Sequence, residues 1–125
     1  VKGERVYIRS LSDRSEIVTF VHESMKSLVS ETGVGWLVNG EASVKLDRRF
    51  LELVTISPST PFFVQLTPGG NCKGLFVSRT SDTGFSVREL DGGTAAIPFY
   101  WKVDAFRRGL EGVSYVDPAT YERLK

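Results

Sequence analysis

Residues Leu66 to Gly109 read LTPGGNCKGLFVSRTSDTGFSVRELDGGTAAIPFYWKVDAFRRG. Short runs rich in aromatic and β-branched residues alternate here with turn chemistry. Lys73 to Arg79, Phe85 to Leu90 and Ala95 to Phe106 are strand patterns, and Phe62 to Thr67 precedes them. Pro68-Gly69-Gly70-Asn71, Ser81-Asp82-Thr83-Gly84 and Asp91-Gly92-Gly93 separate them. Such runs at this spacing predict an antiparallel meander. The expected fold class is all-β, an antiparallel β-sandwich or small barrel with one or two short helical turns. In the last strand, Ile97, Phe99, Trp101 and Val103 share one face, read as core, and Tyr100, Lys102 and Asp104 share the other. Pro98 cannot donate to a central ladder, which predicts an edge or a bulge near it.

Upstream, Glu4 to Arg9 alternates as a half-buried strand with Val6 and Ile8 on one face. Ile17 to His22 is read as a strand, although Ile17, Val21, Met25 and Leu28 also fit a helical stripe, so a helix from Ser15 is the alternative. Gly33 and Gly35 read as punctuation. Asn39-Gly40 between β patterns predicts a hairpin, because both central residues of that turn take positive φ. Ala42, Val44 and Leu46 then share one face. Asp47 is an N-cap candidate for a helical turn over Arg48 to Val54, with Phe50, Leu51 and Val54 facing in. Ser57 to Pro61 forms an extended connector between two subsections of one sheet system. Asp117-Pro118 predicts a short terminal helix over Ala119 to Leu124.

The 125 residues suit one domain. It divides into an N-terminal strand and connector region (1–33), a β core (34–109) and a tail with a short helix (110–125). The sequence begins at Val1 without methionine, as a processed product or a piece of a longer chain would. Sixteen basic against fifteen acidic residues leave a net charge of +1, which argues against a dedicated nucleic-acid binder. No run reaches the roughly 20 apolar residues of a membrane span. One cysteine, Cys72, excludes an internal disulfide; it is read as a small hydrophobe.

Catalytic chemistry finds little to use. His22 is the only histidine, so any Ser-His-Asp or Cys-His arrangement must include it, and no nucleophile-elbow sequence supports one. One histidine and one cysteine do not make a zinc site without carboxylates. Glu89 with Asp91, and Glu41 with Asp47, are the carboxylate pairs a glycoside hydrolase would need. Glu89 and Asp91 would share a strand face, with Arg88 and Arg79 as nearby charge partners. No glycine-rich loop opens a helix to cradle phosphate, and no cofactor is expected. The candidate ligand or interface residues are therefore aromatic and basic. For Trp36, Tyr100 and Trp101 core packing is the first reading; beyond it, Tyr100 is suited to a subunit interface and exposed aromatics, Trp36 foremost, to stacking on sugar rings. Arg107 and Arg108, like Arg48 and Arg49, are suited to phosphate or acidic glycan, with a solvated strand end as the default.

Several blocks occur in order. They are Leu37 to Val54 (LVNGEASVKLDRRFLELV), Phe63 to Pro68 (FVQLTP), Gly70 to Val77 (GNCKGLFV), Gly84 to Leu90 (GFSVREL) and Gly92-Gly93-Thr94. Together they resemble a β-rich module of bacterial secreted proteins and of phage tail-fibre or tail-spike-like proteins. The resemblance covers about two-thirds of the chain. It departs at Ala95-Ala96, where Ser-Asn is more usual, and in the last strand, where Asp104 and Phe106 interrupt a basic run. The N-terminal third is unmatched. The resemblance implies an extracellular or virion location and a non-enzymatic structural or attachment role. It implies a homo-oligomer, by analogy with fibres a trimer, with other appendage or virion proteins or a cell-surface glycan as partners. It carries over no catalytic residues. A carbohydrate-binding module is the alternative reading, and a hydrolase the second alternative.

Overall fold

The computed structural model describes residues 6–20 and 24–111 of the chain. His22 and the expected terminal helix after Asp117-Pro118 lie outside them. The elements run β1 (Val6–Ser10), β2 (Glu16–Phe20), β3 (Leu28–Trp36), β4 (Glu41–Lys45), α1 (Arg48–Leu53), β5 (Val54–Thr55), β6 (Phe63–Pro68), β7 (Leu75–Thr80) and β8 (Gly84–Glu89). A 3-10 turn at Leu90–Gly92 then leads to β9 (Pro98–Arg107). The protein is all-β and antiparallel, and its sheets face each other as an open sandwich without closing into a barrel.

β9 organises the larger sheet. One side pairs with β3 from Trp36↔Pro98 to Leu28↔Phe106. Its other side is shared by β6, from Pro68↔Phe99 to Phe63↔Asp104, and β5, at Thr55↔Phe106 and Val54↔Arg107. β8 is central in the second sheet, between β4 and β7. The inner faces meet through Phe99, Trp101, Val103 and Ala105 of β9 and Phe85 and Val87 of β8. Leu37, Leu46, Phe50, Val54 and Phe62 close the ends. The alternation of apolar residues along β9 thus places Phe99, Trp101 and Val103 in the core as expected. Trp101 packs edge-on to Phe85, with ring centroids 5.7 Å apart.

The meander does not form. β6 lies in one sheet and β7 in the other, as do β8 and β9. The Gly69-Gly70 and Gly92-Gly93 turns therefore carry the chain across the sandwich instead of closing hairpins. Asn39-Gly40 does form the expected tight turn, with φ of 54° and 76° and a Val38↔Glu41 bridge. Its flanking strands diverge at once, β3 into one sheet and β4 into the other. Pro98 starts a central strand, neither at a bulge nor on a sheet edge: at a first residue the missing N–H costs the ladder least. The ladder irregularity falls in β7, between Val77 and Arg79. It moves Arg79 opposite Ser86 and away from the inward-facing Phe85.

Two local expectations match the structure. β2 is a strand, not a helix. Asp47 caps α1, its carboxylate accepting from the Arg49 backbone at 2.7 Å, with Phe50 and Val54 turned inward. The half-buried reading of the first strand is overturned. β1 and β2 pair with each other, and Ile8 is 66% exposed, because neither strand has an appreciable interface with another described element.

Gly33 and Gly35 are not punctuation but the middle of β3, at ordinary φ. Their register partners are Trp101 and Phe99, whose rings lie over them. A Cβ on Gly33 would come within 2.4 Å of Trp101 Cζ2, and one on Gly35 within 2.3 Å of Phe99 Cζ. On the opposite face, a Cβ on Gly69 would stand 2.8 Å from Pro98 O and 3.2 Å from Tyr100 Cε2. Phe99 and Trp101 of β9 each occupy the space left by a missing side chain.

Candidate interaction surface

Strand alternation turns Ser30, Thr32, Val34 and Trp36 of β3 away from the core. On β9 the same rule turns out Tyr100, and on β6 Gln65 and Thr67. Val34 stands opposite Tyr100 in the register, and Trp36 opposite Pro98. Trp36 and Tyr100 are thus diagonal neighbours, with Cα atoms roughly 7–8 Å apart by sheet geometry. Trp36 is 63% exposed, Val34 61% and Tyr100 50%. Val34 and Tyr100 line a shallow trough of about 390 Å³, together with Thr32, Gln65, Thr67 and Lys102. Three exposed apolar residues in one patch, rimmed by hydroxyl, amide and ammonium groups, have the composition of a contact surface.

The other candidates go elsewhere. Trp101 borders the trough, but its ring is buried between Gly33 and Phe85 and is not free to stack on a sugar. Arg107 donates from Nε to Ser27 Oγ at 3.0 Å. Arg108 donates to the carbonyls of Leu51, Glu52 and Val54 at 3.1 to 3.3 Å. These are carbonyls at the end of α1 that the helix leaves unsatisfied, so Arg108 serves as a helix cap. Arg49 pairs with Asp47 at 3.0 Å, holding the Asp47 carboxyl well below the usual range, at about 2.

The carboxylates singled out for hydrolysis are also engaged. Glu41 pairs with Arg88 at 3.0 Å on the exposed face of the second sheet. Asp91 sits at a left-handed φ of 54° in the 3-10 turn. Glu89 is the one charged side chain buried among the described residues, and its partners are neither Arg88 nor Arg79. One carboxylate oxygen accepts from the Lys73 N–H and the other from the Ala95 N–H, each at 2.8 Å. The Lys73 amide, followed by that of Ala95, holds the Glu89 carboxyl below its ordinary value. Its own backbone donates to Gly40 O, and Gly40 N donates to Ala95 O. Glu89 therefore ties the Asn39-Gly40 turn, the loop before β7 and the loop before β9 into one knot. Gly93 is required beside it, since a Cβ there would lie 2.1 Å from the carboxyl carbon. The signal was in the alternation: Phe85, Val87 and Glu89 fall on one face, so a carboxylate in line with two core residues needs buried donors.

Among the described residues, no three His, Cys, Asp or Glu side chains converge as a metal site, and no helix is long and apolar enough to cross a membrane. Cys72 is half-buried and free. Protein-family models, curated proteins and solved structures give no match to this chain.

Proposed function

We propose that this chain is a non-enzymatic structural or attachment module of a phage-type or cell-surface appendage, acting outside the cell or on the virion as a homo-oligomer, with three copies the expected number. The observation that carries the reading is the patch of Trp36, Val34 and Tyr100. It lies on a rigid sheet whose central strand is hydrogen-bonded on both sides. Burying such side chains contributes about 1.5–3 kcal/mol each for a large apolar residue, set against the association entropy that a preorganised surface keeps low. The engagement of Glu41, Asp47 and Glu89 in ion pairing, capping and loop tethering supports a role without acid–base chemistry. The test is sedimentation equilibrium of the full chain over a wide concentration range. A mass of three times 13.9 kDa is expected, and a single-chain mass at every concentration refutes assembly.

A carbohydrate-binding role is the second reading, because Trp36 and Tyr100 share a face with the polar groups of Thr32, Gln65 and Thr67. It requires that Trp36→Ala and Tyr100→Ala abolish glycan binding while leaving any oligomer intact. Binding unaffected by both changes removes it.

A further inference from the structure

The hydrogen-bond parity of β3 leaves one edge of the larger sheet open. Leu37 N donates to Ile97 O and Arg107 N to Ser27 O, at opposite ends of the same register, so the odd-numbered residues of β3 bond to β9. The N–H and C=O groups of Leu28, Ser30, Thr32, Val34 and Trp36 therefore point away from β9, and no described residue pairs with them. Proteins blunt such edges with lysines, prolines, bulges or short strands. β3 has nine residues, no proline, no lysine and no break in its register. Its one charged side chain, Glu31, is engaged with the Asp47 backbone at 3.1 Å.

The β1–β2 ribbon is incomplete in a matching way. Leu11 N donates to Ser15 O, so odd residues bond within the ribbon, and the backbones of Ile8 and Val18 face its two outer edges. Their side chains are 66% and 55% exposed. A lone two-stranded hairpin is marginal in water and needs a third strand or a packing surface.

We propose that these two unfinished elements are halves of one contact: the β1–β2 ribbon of one copy adds as strands to the β3 edge of a second copy. Main-chain hydrogen bonds along the edge provide the affinity, and cross-strand pairing of Ile8 or Val18 with Val34 and Trp36 sets the register. The contact is heterologous, ribbon to edge, and therefore closes a ring when the rotation permits. The proposal rests on the assembling role above and names the surfaces that assemble.

Two measurements on the full chain test it. In a Cys72→Ser background, chains carrying Ile8→Cys or Val18→Cys are mixed with chains carrying Val34→Cys, oxidised and separated without reductant. Ser43→Cys, on the outer face of the other sheet, is the control. The expected result is a disulfide-linked pair containing one ribbon chain and one edge chain, absent from the control mixture. In parallel, Thr32→Pro removes an outward N–H without touching the β9 ladder; it should keep the β circular-dichroism spectrum and reduce the sedimenting mass to one chain. An oligomer that cross-links only Val34→Cys to Val34→Cys overturns the ribbon as occupant, leaving β3 self-paired. An oligomer with no cross-link at either edge overturns the surface while leaving assembly standing. A chain that is monomeric throughout overturns both.

Discussion

Replacing Gly35 by alanine isolates the packing of β9 against β3. The φ of Gly35 is not positive, so its backbone accepts an L-residue without strain, and the exchange would ordinarily gain about 0.4–1 kcal/mol by restricting the unfolded chain. Against that gain stands the Phe99 ring. The new methyl would sit 2.3 Å from Cζ, where carbon–carbon contacts prefer about 3.5–4.0 Å. Phe99 is fully buried in the sandwich core, so the ring has no solvent side to swing toward. Overpacking costs about 1–3 kcal/mol, and a fully buried ring with nowhere to move puts the cost at about 2–3, which exceeds the unfolded-state gain and leaves a net loss of about 1–2.5 kcal/mol. For a domain of this length that corresponds to a fall in Tm of roughly 3–10 °C, read by differential scanning calorimetry. The pair Gly35→Ala with Phe99→Leu should be less destabilised than the sum of the single changes, by a coupling of about 1 kcal/mol, because the smaller side chain vacates the contested space. A Gly35→Ala protein as stable as the parent, or additivity in the cycle, would refute the placement of the ring over the glycine.

Gly92→Ala is the contrasting case: a Cβ there meets nothing, but φ is +64°, so a loss of about 1 kcal/mol from backbone conformation alone is expected in urea titrations, with no coupling to any aromatic. Glu89→Gln should lower the urea midpoint at neutral pH, since an amide NH₂ would face one of two backbone N–H donors. Because the folded Glu89 carboxyl is held below its ordinary range, its contribution is complete above that range and lost as pH falls through the folded value. The gap between parent and variant should therefore narrow as the pH falls from neutrality to below the ordinary glutamate range, and a gap independent of pH contradicts the tether. Iodide should quench Trp36 and spare Trp101. Trp36→Phe should remove the quenchable emission, and emission protected in the oligomer would place Trp36 in the contact. Arg108→Ala, by uncovering three carbonyls near the end of α1, should destabilise by about 1–2 kcal/mol in the same urea assay, where an isolated surface arginine would change nothing measurable.

Local chemistry made most of the strands legible. The turn signals at Asn39-Gly40 and Ser81 to Gly84, the Asp47 cap and the alternation in β9 each depend on a few consecutive residues, and each holds in the structure. The site was legible only in part. Trp36 and Tyr100 are exposed as a contact surface requires, but Trp101 and Arg108 were drawn off by partners distant in the chain. Arg88 and Arg79 look like charge partners for Glu89 in the sequence, while its donors are the backbone amides of Lys73 and Ala95.

By itself the sequence determined a β protein, its strand faces and its turns, because a period of two and the φ demands of glycine, asparagine and proline act over a few residues. It did not determine which strand lies beside which. Alternation says that Phe99 and Trp101 face inward, not that Gly35 and Gly33 will be opposite them. Only the tertiary structure decided that β3 and β4, β6 and β7, and β8 and β9 lie in different sheets, that two mid-strand glycines make room for β9 rings, and that one edge of β3 has no partner among the described residues. Those outcomes depend on long-range register, where the burial of a whole face outweighs any local preference.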